Sequence, residues 1–291
     1  MDAYDNFKRD YRISAGLRGR GTFEIGETTP QYPVPLHVEF SVEKSDAEAQ
    51  NTGTISIWNL SDAQLAVLNQ RDCNISLQAG YNGRISLISA GIISDVTTEM
   101  DSADRRTKIE YVDNLVEVRD TYVSVSYRGT VSWKTIMDSV AAQMGVAITY
   151  AYNVSFTNVY NGFSYVGLGR NILTKACNCC GLSWSLQNGI IQVKKPGDVM
   201  KRQAYLLSVE TGLLNVPAQV SIEKSVSSTE SEKTKLRGWE VEYLMNGAIN
   251  VNDYVKVESR EVTGFFTVHK IAVDGDNVSG DWICKAQLLE M

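Results

Sequence analysis

The stretch KACNCCGLSW (175–184) carries three of the chain's five cysteines, Cys177, Cys179 and Cys180. Clustered thiols serve one of three ends: they ligate a metal, exchange electrons, or pack as small hydrophobes. A structural zinc site usually draws on two ligand pairs, with two to four residues inside each pair. Here the spacing is C-x-C-C with no second pair, and the chain has only two histidines, His37 and His269. On a helix, Cys177 and Cys180 are three residues apart and share a face with Ile172, Leu173 and Ala176, and Gly181 ends the run. Core packing is therefore the expectation, with metal ligation and redox exchange as the alternatives. Cys73 and Cys284 lie in alternating apolar segments and also read as core. An odd cysteine number at irregular spacing makes no disulfide framework.

Other constellations are thinner. His37 alternates onto the polar face of a strand and His269 sits in a half-exposed one, so a Ser-His-Asp arrangement is not expected. Asp274, Asp276 and Asp281 crowd the segment DGDNVSGD. It lacks the spacing and closing Glu of an EF-hand and reads as a polar turn. GLRGRG (16–21) and GLGR (167–170) lack the spacing and lysine of a phosphate loop. The fourteen tyrosines are spread over many strands and form no sugar-binding cluster. Expected catalytic, cofactor-binding and metal residues are none, and no cofactor is called for.

The elements that would position these residues are mostly strands. LHVEFSVEKS (36–45) alternates, with Leu36, Val38, Phe40 and Val42 on one side. TISIWNL (54–60) is a second strand, and SDAQLAVLNQ (61–70) a short helix with Ser61 as N-cap. Asn82-Gly83 lies between alternating runs and marks a hairpin. IISDVTTEM and RTKIEYVDNLVEVRD read as strands around the turn DSADR (101–105). From residue 131 the period changes: Trp133, Ile136, Met137, Val140, Ala141 and Met144 recur at helical spacing before Gly145. A Tyr-rich strand, the helix 171–181 and a hairpin turning at Asn188-Gly189 follow, an α+β module. The polar run 225–238 reads as a long loop. WEVEYLMNG, DYVKVESR, FFTVHKIAV and DWICKAQLLEM then return to β.

Composition limits function. A net charge of −6 opposes a body that grips nucleic acid through its phosphates. Lys8, Arg9, Arg12, Arg18 and Arg20 make the start locally basic, which reads as a solvated or partner-binding arm. No apolar run reaches the roughly 20 residues that span a bilayer, and MDAYDNFKRDYR has no apolar signal core, so synthesis and folding in a cytoplasm are expected.

The chain also echoes itself. With Gly91 set on Gly264, IISDVTTEMD runs against FFTVHKIAVD, Asp101 falls on Asp274, Ile109 on Trp282 and Tyr111 on Cys284. Glycine, strand, acidic turn and strand recur in order, the mark of two related β units.

Several segments together resemble the phage tail baseplate hub proteins, the late control protein D-like family of contractile tails and injection machines. They are VEFSVEKSDAEAQNTGTISIWNLSDAQL, AGYNGRISLISAGIIS, RTKIEYVDN, VETGLLNVPAQ, the step Asp253 to Ser259 and the turn Gly280 to Trp282. The middle module resembles the small αβ domain of these hubs and, through NILTKACNCCGLSWSLQNGIIQV, the ring-building domain of secretins. The resemblance implies a mainly β chain with an α+β insert: two related tail-tube-like β-barrels flanking a small α+β domain. The expected scheme is an N-terminal arm at 1–35, a first barrel at 36–128, the α+β domain at 129–198 and a second barrel at 199–291. It further implies a non-enzymatic homotrimeric ring in the virion tail, assembled in the host cytoplasm. The implied partners are the tail tube or distal tail protein, the central spike, the tape-measure protein and other baseplate subunits, without specific nucleic-acid binding or stable membrane insertion. Ring contacts are expected on the strand edges and outer faces of LHVEFSV and DYVKVES, and wall hydrolysis is left to another subunit. The rival readings are a tail-associated cell-wall hydrolase and a secretin-like envelope ring protein.

Overall fold

The computed structural model describes residues 8–17, 22–26, 35–46, 51–113, 116–157, 159–225 and 233–290. Two compact units emerge: Met1–Val112 together with Ala204–Met291, and Asp113–Gln203.

The first unit is a 13-stranded sheet among the described residues. Its N-terminal strands are β1 (Arg9–Gly16), β2 (Thr22–Ile25), β3 (Val38–Ser45), β4 (Thr52–Trp58), β5 (Asn74–Tyr81), β6 (Arg84–Asp101) and β7 (Asp104–Val112). Helix α1 (Asp62–Leu68) sits between β4 and β5. Ser61 caps it: its Oγ accepts from the Gln64 amide while the Gln64 side chain reaches back to the Ser61 N–H. The Asn82-Gly83 turn joins β5 to β6 with both residues at positive φ, 50° and 74°. That is the twist a two-residue hairpin needs and that Asn and Gly tolerate.

The second unit begins with α2 (Val116–Asp120), followed by β8 (Tyr122–Ser132), α3 (Trp133–Met144), β9 (Ala147–Tyr150), β10 (Val159–Leu168), α4 (Gly169–Cys180), β11 (Ser183–Gln187) and β12 (Ile190–Lys194). The six apolar residues expected on one face of α3 are all buried, Ser132 caps its start, and Gly145 ends it in the left-handed region. β9 pairs in parallel with β12, and β8 forms an antiparallel ribbon with β10. Trp133, Ile136, Leu173, Cys177, Ile191 and Val193 share one core, with Val123 and Val125 of β8 in it.

The chain then returns to the large sheet with β13 (Ala204–Ser208), β14 (Ala218–Ser225), β15 (Lys233–Leu244), β16 (Tyr254–Glu258), β17 (Thr263–Asp276) and β18 (Trp282–Glu290). The strand order is β14-β15-β18-β17-β3-β4-β7-β6-β5-β1-β2, with β16 beside β17 and β13 beside β16.

Four sequence expectations are corrected. The basic start is not wholly an arm: β1 pairs with β5 and β2, with Tyr11, Ile13 and Ala15 buried. Its period-2 pattern was masked by the charged residues interleaved with it; Arg18 and Arg20 lie outside the described residues. The stretch after β7 turns into α2 instead of continuing as strand. Lys233–Gly238 of the polar run belongs to β15, while residues 226–232 lie outside the described residues. The chain is mainly β, as expected, but among the described residues the large antiparallel sheet closes neither of the two expected barrels. The path of described pairs has two ends, because the outer part of β17 turns to β3 instead of its own first strand.

The echo becomes a repeat of pairing order. β3-β4-β7-β6-β5-β1 and β14-β15-β18-β17-β16-β13 run through the same neighbours in the same sequence order. In each half one long strand changes partner along its length. β6 pairs with β5 up to Ile92 and with β7 from Ile92 onward. β17 pairs with β16 up to Thr267 and with β18 from Phe266 onward. Each long strand then carries a bulge that skips one residue against its hairpin partner, Ser94 in β6 and His269 in β17. A bulge bends and twists a strand, which lets one strand serve two neighbours at an angle. One pairing differs in sense between the halves: β1 meets β5 antiparallel, and β13 meets β16 parallel.

Candidate assembly interface

The residues with potential chemistry do not converge. Cys177 is buried on α4 among apolar neighbours, Cys180 is half-buried and Cys179 exposed. Burial pushes the Cys177 thiol up to about 12, so it is a poor thiolate at neutral pH. Cys73 and Cys284 are buried, and burial raises Cys284 to about 11. Among the described residues no group of three or more His, Cys, Asp or Glu side chains is placed to hold a metal ion. GLRGRG falls largely outside the described residues, and GLGR runs from the end of β10 into the start of α4.

What the fold does bring together is the seam between its two halves. β17 and β3 pair antiparallel from Lys270–Ser45 to Asp276–Glu39, so one sheet runs through both. Side chains reinforce the ladder. Lys270 Nζ lies 2.9 Å from Glu43 Oε2, and Ser41 donates to Asp274 at 2.7 Å. Gly275 allows the Phe40 ring to lie against the backbone: a Cβ there would fall 2.3 Å from Phe40 Cζ. Phe40 in turn meets Trp282 edge-on at 5.3 Å. Trp282 donates its indole N–H to Gly80 O at 3.1 Å, and the Arg9 guanidinium donates to the carbonyls of Asp276 and Gly280.

The segment DGDNVSGD is thus part of the seam. Asp276 Oδ1 accepts from the amides of Val278 (2.8 Å) and Ser279 (3.1 Å) and lies 3.0 Å from His37 Nε2. Partial burial pushes this carboxyl up, but the two amides and His37 outweigh it and hold it below the ordinary carboxylate range. Asn277 donates to Leu36 O, and its Oδ1 accepts from the Val38 amide at 2.7 Å. The other face of His37 stacks on Trp58 at 4.0 Å. At the far end of the seam the bulge residue His269 has Nδ1 2.6 Å from Asp46 Oδ1, and its carbonyl accepts from the Asp46 amide. His37 thus hydrogen-bonds an aspartate across the seam, and His269 lies within ion-pair distance of one.

Lys44 is the residue that sequence reading missed. It is 3% exposed, and its ammonium donates to the Ile88 carbonyl and to Asn250 Oδ1 at 2.9 Å. A buried charge needs such partners. The signal was present, since Lys44 occupies the next inward position after Val38, Phe40 and Val42.

The edges expected to make ring contacts are occupied within the chain: β3 pairs with β4 and β17, and β16 with β13 and β17. The open edges lie elsewhere. Among the described residues β14 pairs only with β15, β2 only with β1, β13 only with β16, and the outer part of β6 only with β7.

No protein-family model and no curated protein matches this sequence. Solved structures do match over nearly the whole chain. A prophage MuSo2 43 kDa tail protein from Shewanella oneidensis aligns at a TM-score of 0.60 with 9% identity, covering 97% of this chain and 98% of that one. A tail protein from Neisseria meningitidis MC58 aligns at 0.57 with 11% identity, covering 97% of each chain. The E. coli c3393 protein, described as a component of the type VI secretion system with similarity to T4 tail proteins gp27 and gp5, aligns at 0.55 with 8% identity, covering 88% of this chain and 74% of that one. At such identities the likeness is one of fold: this chain shares the fold of phage tail proteins and of a type VI secretion component.

Proposed function

We propose that this chain is a structural, non-catalytic tail protein: a baseplate hub that forms a homotrimeric ring between a sixfold tail tube and a threefold spike. The observation that carries this reading is the repeated pairing order within one continuous sheet. Each chain offers two equivalent four-strand blocks, β3-β4-β7-β6 and β14-β15-β18-β17. Three copies related by a threefold axis present six such blocks, so one ring matches both symmetries. The two tube-like units per chain, with the α+β unit inserted between them, serve this adaptor role. Fold likeness to two phage tail proteins supports it.

In this role the ring contacts the tail tube or distal tail protein on one side and the central spike on the other, with other baseplate subunits around it. Its lumen passes the tape-measure protein and then DNA. A net charge of −6 suits a conduit for DNA, because like charges limit sticking. The protein is placed in the virion tail after assembly in the host cytoplasm.

The test is bridging. The purified chain is mixed with the tube and spike proteins of its own particle, separately and together, and complexes are sized by light scattering. The reading expects a ternary complex with three copies of this chain. Binding to neither protein would overturn it, and clearing of cell wall in a zymogram by the chain alone would overturn its non-catalytic part.

A further inference from the structure

The buried amine of Lys44 lies against a carboxamide that is held in place for it. Lys44 follows Val38, Phe40 and Val42 on the inward face of β3. Its Nζ donates to the Ile88 carbonyl of β6 and, at 2.9 Å, to Oδ1 of Asn250 in the connector between β15 and β16. That connector is fixed from two sides. Gly247 lies on β6, where a Cβ would fall 2.7 Å from Ile88 Cδ1 and 3.1 Å from Ser86 O. The Asn252 amide donates to Val268 O at 2.9 Å, and the Val268 amide to Asp253 O at 3.0 Å, which ties the connector to β17. The Asn250 side chain is fixed as well: Nδ2 donates to the carbonyls of Gly247 (3.1 Å) and Ala248 (3.4 Å). A buried carboxyl group completes the cluster. Asp253 is 6% exposed, and its Oδ2 accepts from the backbone N–H of Asn250 at 2.8 Å.

We propose that Lys44 and Asn250 join in an intramolecular isopeptide bond, with Asp253 as the carboxylate that carries the protons. The proposal goes beyond the hub reading and does not rest on it. Lys44 passes one proton to Asp253, and its neutral Nζ attacks Asn250 Cγ. Asp253 returns that proton to Nδ2, the Cγ–Nδ2 bond breaks, and ammonia leaves. Nζ sheds its second proton to Asp253 as the new amide forms, and the ammonia takes that proton and departs as ammonium. No electrons are exchanged, so neither oxidant nor reductant is needed. The first transfer replaces two buried charges with two neutral groups, a change that a low-dielectric interior favours. The fold supplies the rest, because amine and amide are already held in contact and no entropy is lost in bringing them together.

The surroundings suit this chemistry. Val42, Ile88, Ile249 and Val251 are all buried, so the amide is kept from bulk water. The charges of Lys44 and Asp253 meet on one patch of the core. Burial raises the Cys284 thiol, and the lysine charge works against that rise. Burial raises the Tyr243 hydroxyl too, and there the thiol of Cys284 and the charge of Asp253 add to it. The bond also falls at a telling place. Lys44 pairs with Ile271 across the seam, and Asn250 lies 206 residues along the chain. The isopeptide therefore ties the first half of the sheet covalently to the second, where the β17–β3 ladder otherwise joins them. A tie between segments so far apart restricts the unfolded chain and holds the seam shut when the ladder opens.

The experiment is mass spectrometry of the full chain, purified, shown to be folded by circular dichroism and incubated at length. The expected intact mass is below that of the sequence by one ammonia, about 17 Da. Tryptic digestion should then yield one branched species in which 21–71, uncut at Lys44, is joined to 238–256. Two separate peptides, with Lys44 cleaved and Asn250 intact, would overturn the proposal. So would an ammonia loss without a branched peptide, or one that persists in Lys44→Met, since an asparagine closing on its own backbone loses the same mass. Asp253→Asn keeps the size of the side chain and an oxygen for the Asn250 N–H but cannot carry protons. It should retain the native circular dichroism and lose the branched species; a variant that crosslinks as fully as the parent would overturn the role given to Asp253.

Discussion

At the seam, single residues decide whether two half-sheets run on as one. Gly275 is present because the Phe40 ring lies where a Cβ would stand. Gly275→Ala should destabilise the protein by about 1–3 kcal/mol through overpacking, read as a lower denaturation midpoint with little change in slope. Asp276 gives the seam a pH dependence. Its folded carboxyl titrates below the unfolded one. Its contribution is therefore complete above the ordinary Asp value of about 4 and is lost as pH falls through the lowered folded value. Asp276→Asn should flatten the acid limb of the stability curve; an unchanged limb would remove Asp276 from the account. The cysteines make a separate prediction. A thiol reagent at pH 8 should label Cys179 in the folded protein and reach Cys177 only on unfolding, since burial keeps the Cys177 thiol protonated. Stoichiometric zinc by elemental analysis would overturn the packing assignment of this cluster.

At the scale of elements, sequence and structure agree wherever one period governs a segment. The six apolar positions of α3, the alternation of β3, the Ser61 cap and the hairpins at Asn82-Gly83 and Asn188-Gly189 were all legible. Each depends on residues within a turn or a strand of one another. The failures have a different cause. β1 hides its alternation among arginines, and α2 follows β7 with no break in apolar content. The self-alignment found the right strands in the wrong register. The bulges place β6 on β17 two residues from that alignment and β7 on β18 four residues from it, because the loop between β17 and β18 is two residues longer. Both offsets are even, so each residue kept its correct face and the error was invisible in the pattern. The insert offers a test at this scale. Residues 113–203 have their own core around Trp133 and Leu173, so that fragment alone should unfold cooperatively on heating; a non-cooperative melt would show that its core is incomplete.

For the whole molecule, what sequence alone could not supply is the connection between the halves. β17 and β3 are more than two hundred residues apart, and no local pattern says that they pair. The resemblance anticipated two related β units, and the sheet instead joins their repeated pairing orders into a single open path. Among the described residues this path has one internal seam and free edges at β14, β2, β13 and the outer part of β6, and the proposed homotrimer makes it one segment of a ring. The outcome to measure first is therefore the native mass and symmetry of the purified chain, by light scattering with end-on class averages of stained particles. The account predicts a particle of three chains with a central hole, a threefold axis and six lobes of similar size around the lumen. A compact monomer or a closed twofold dimer, in the purified chain and again after addition of the tube and spike proteins, would contradict it.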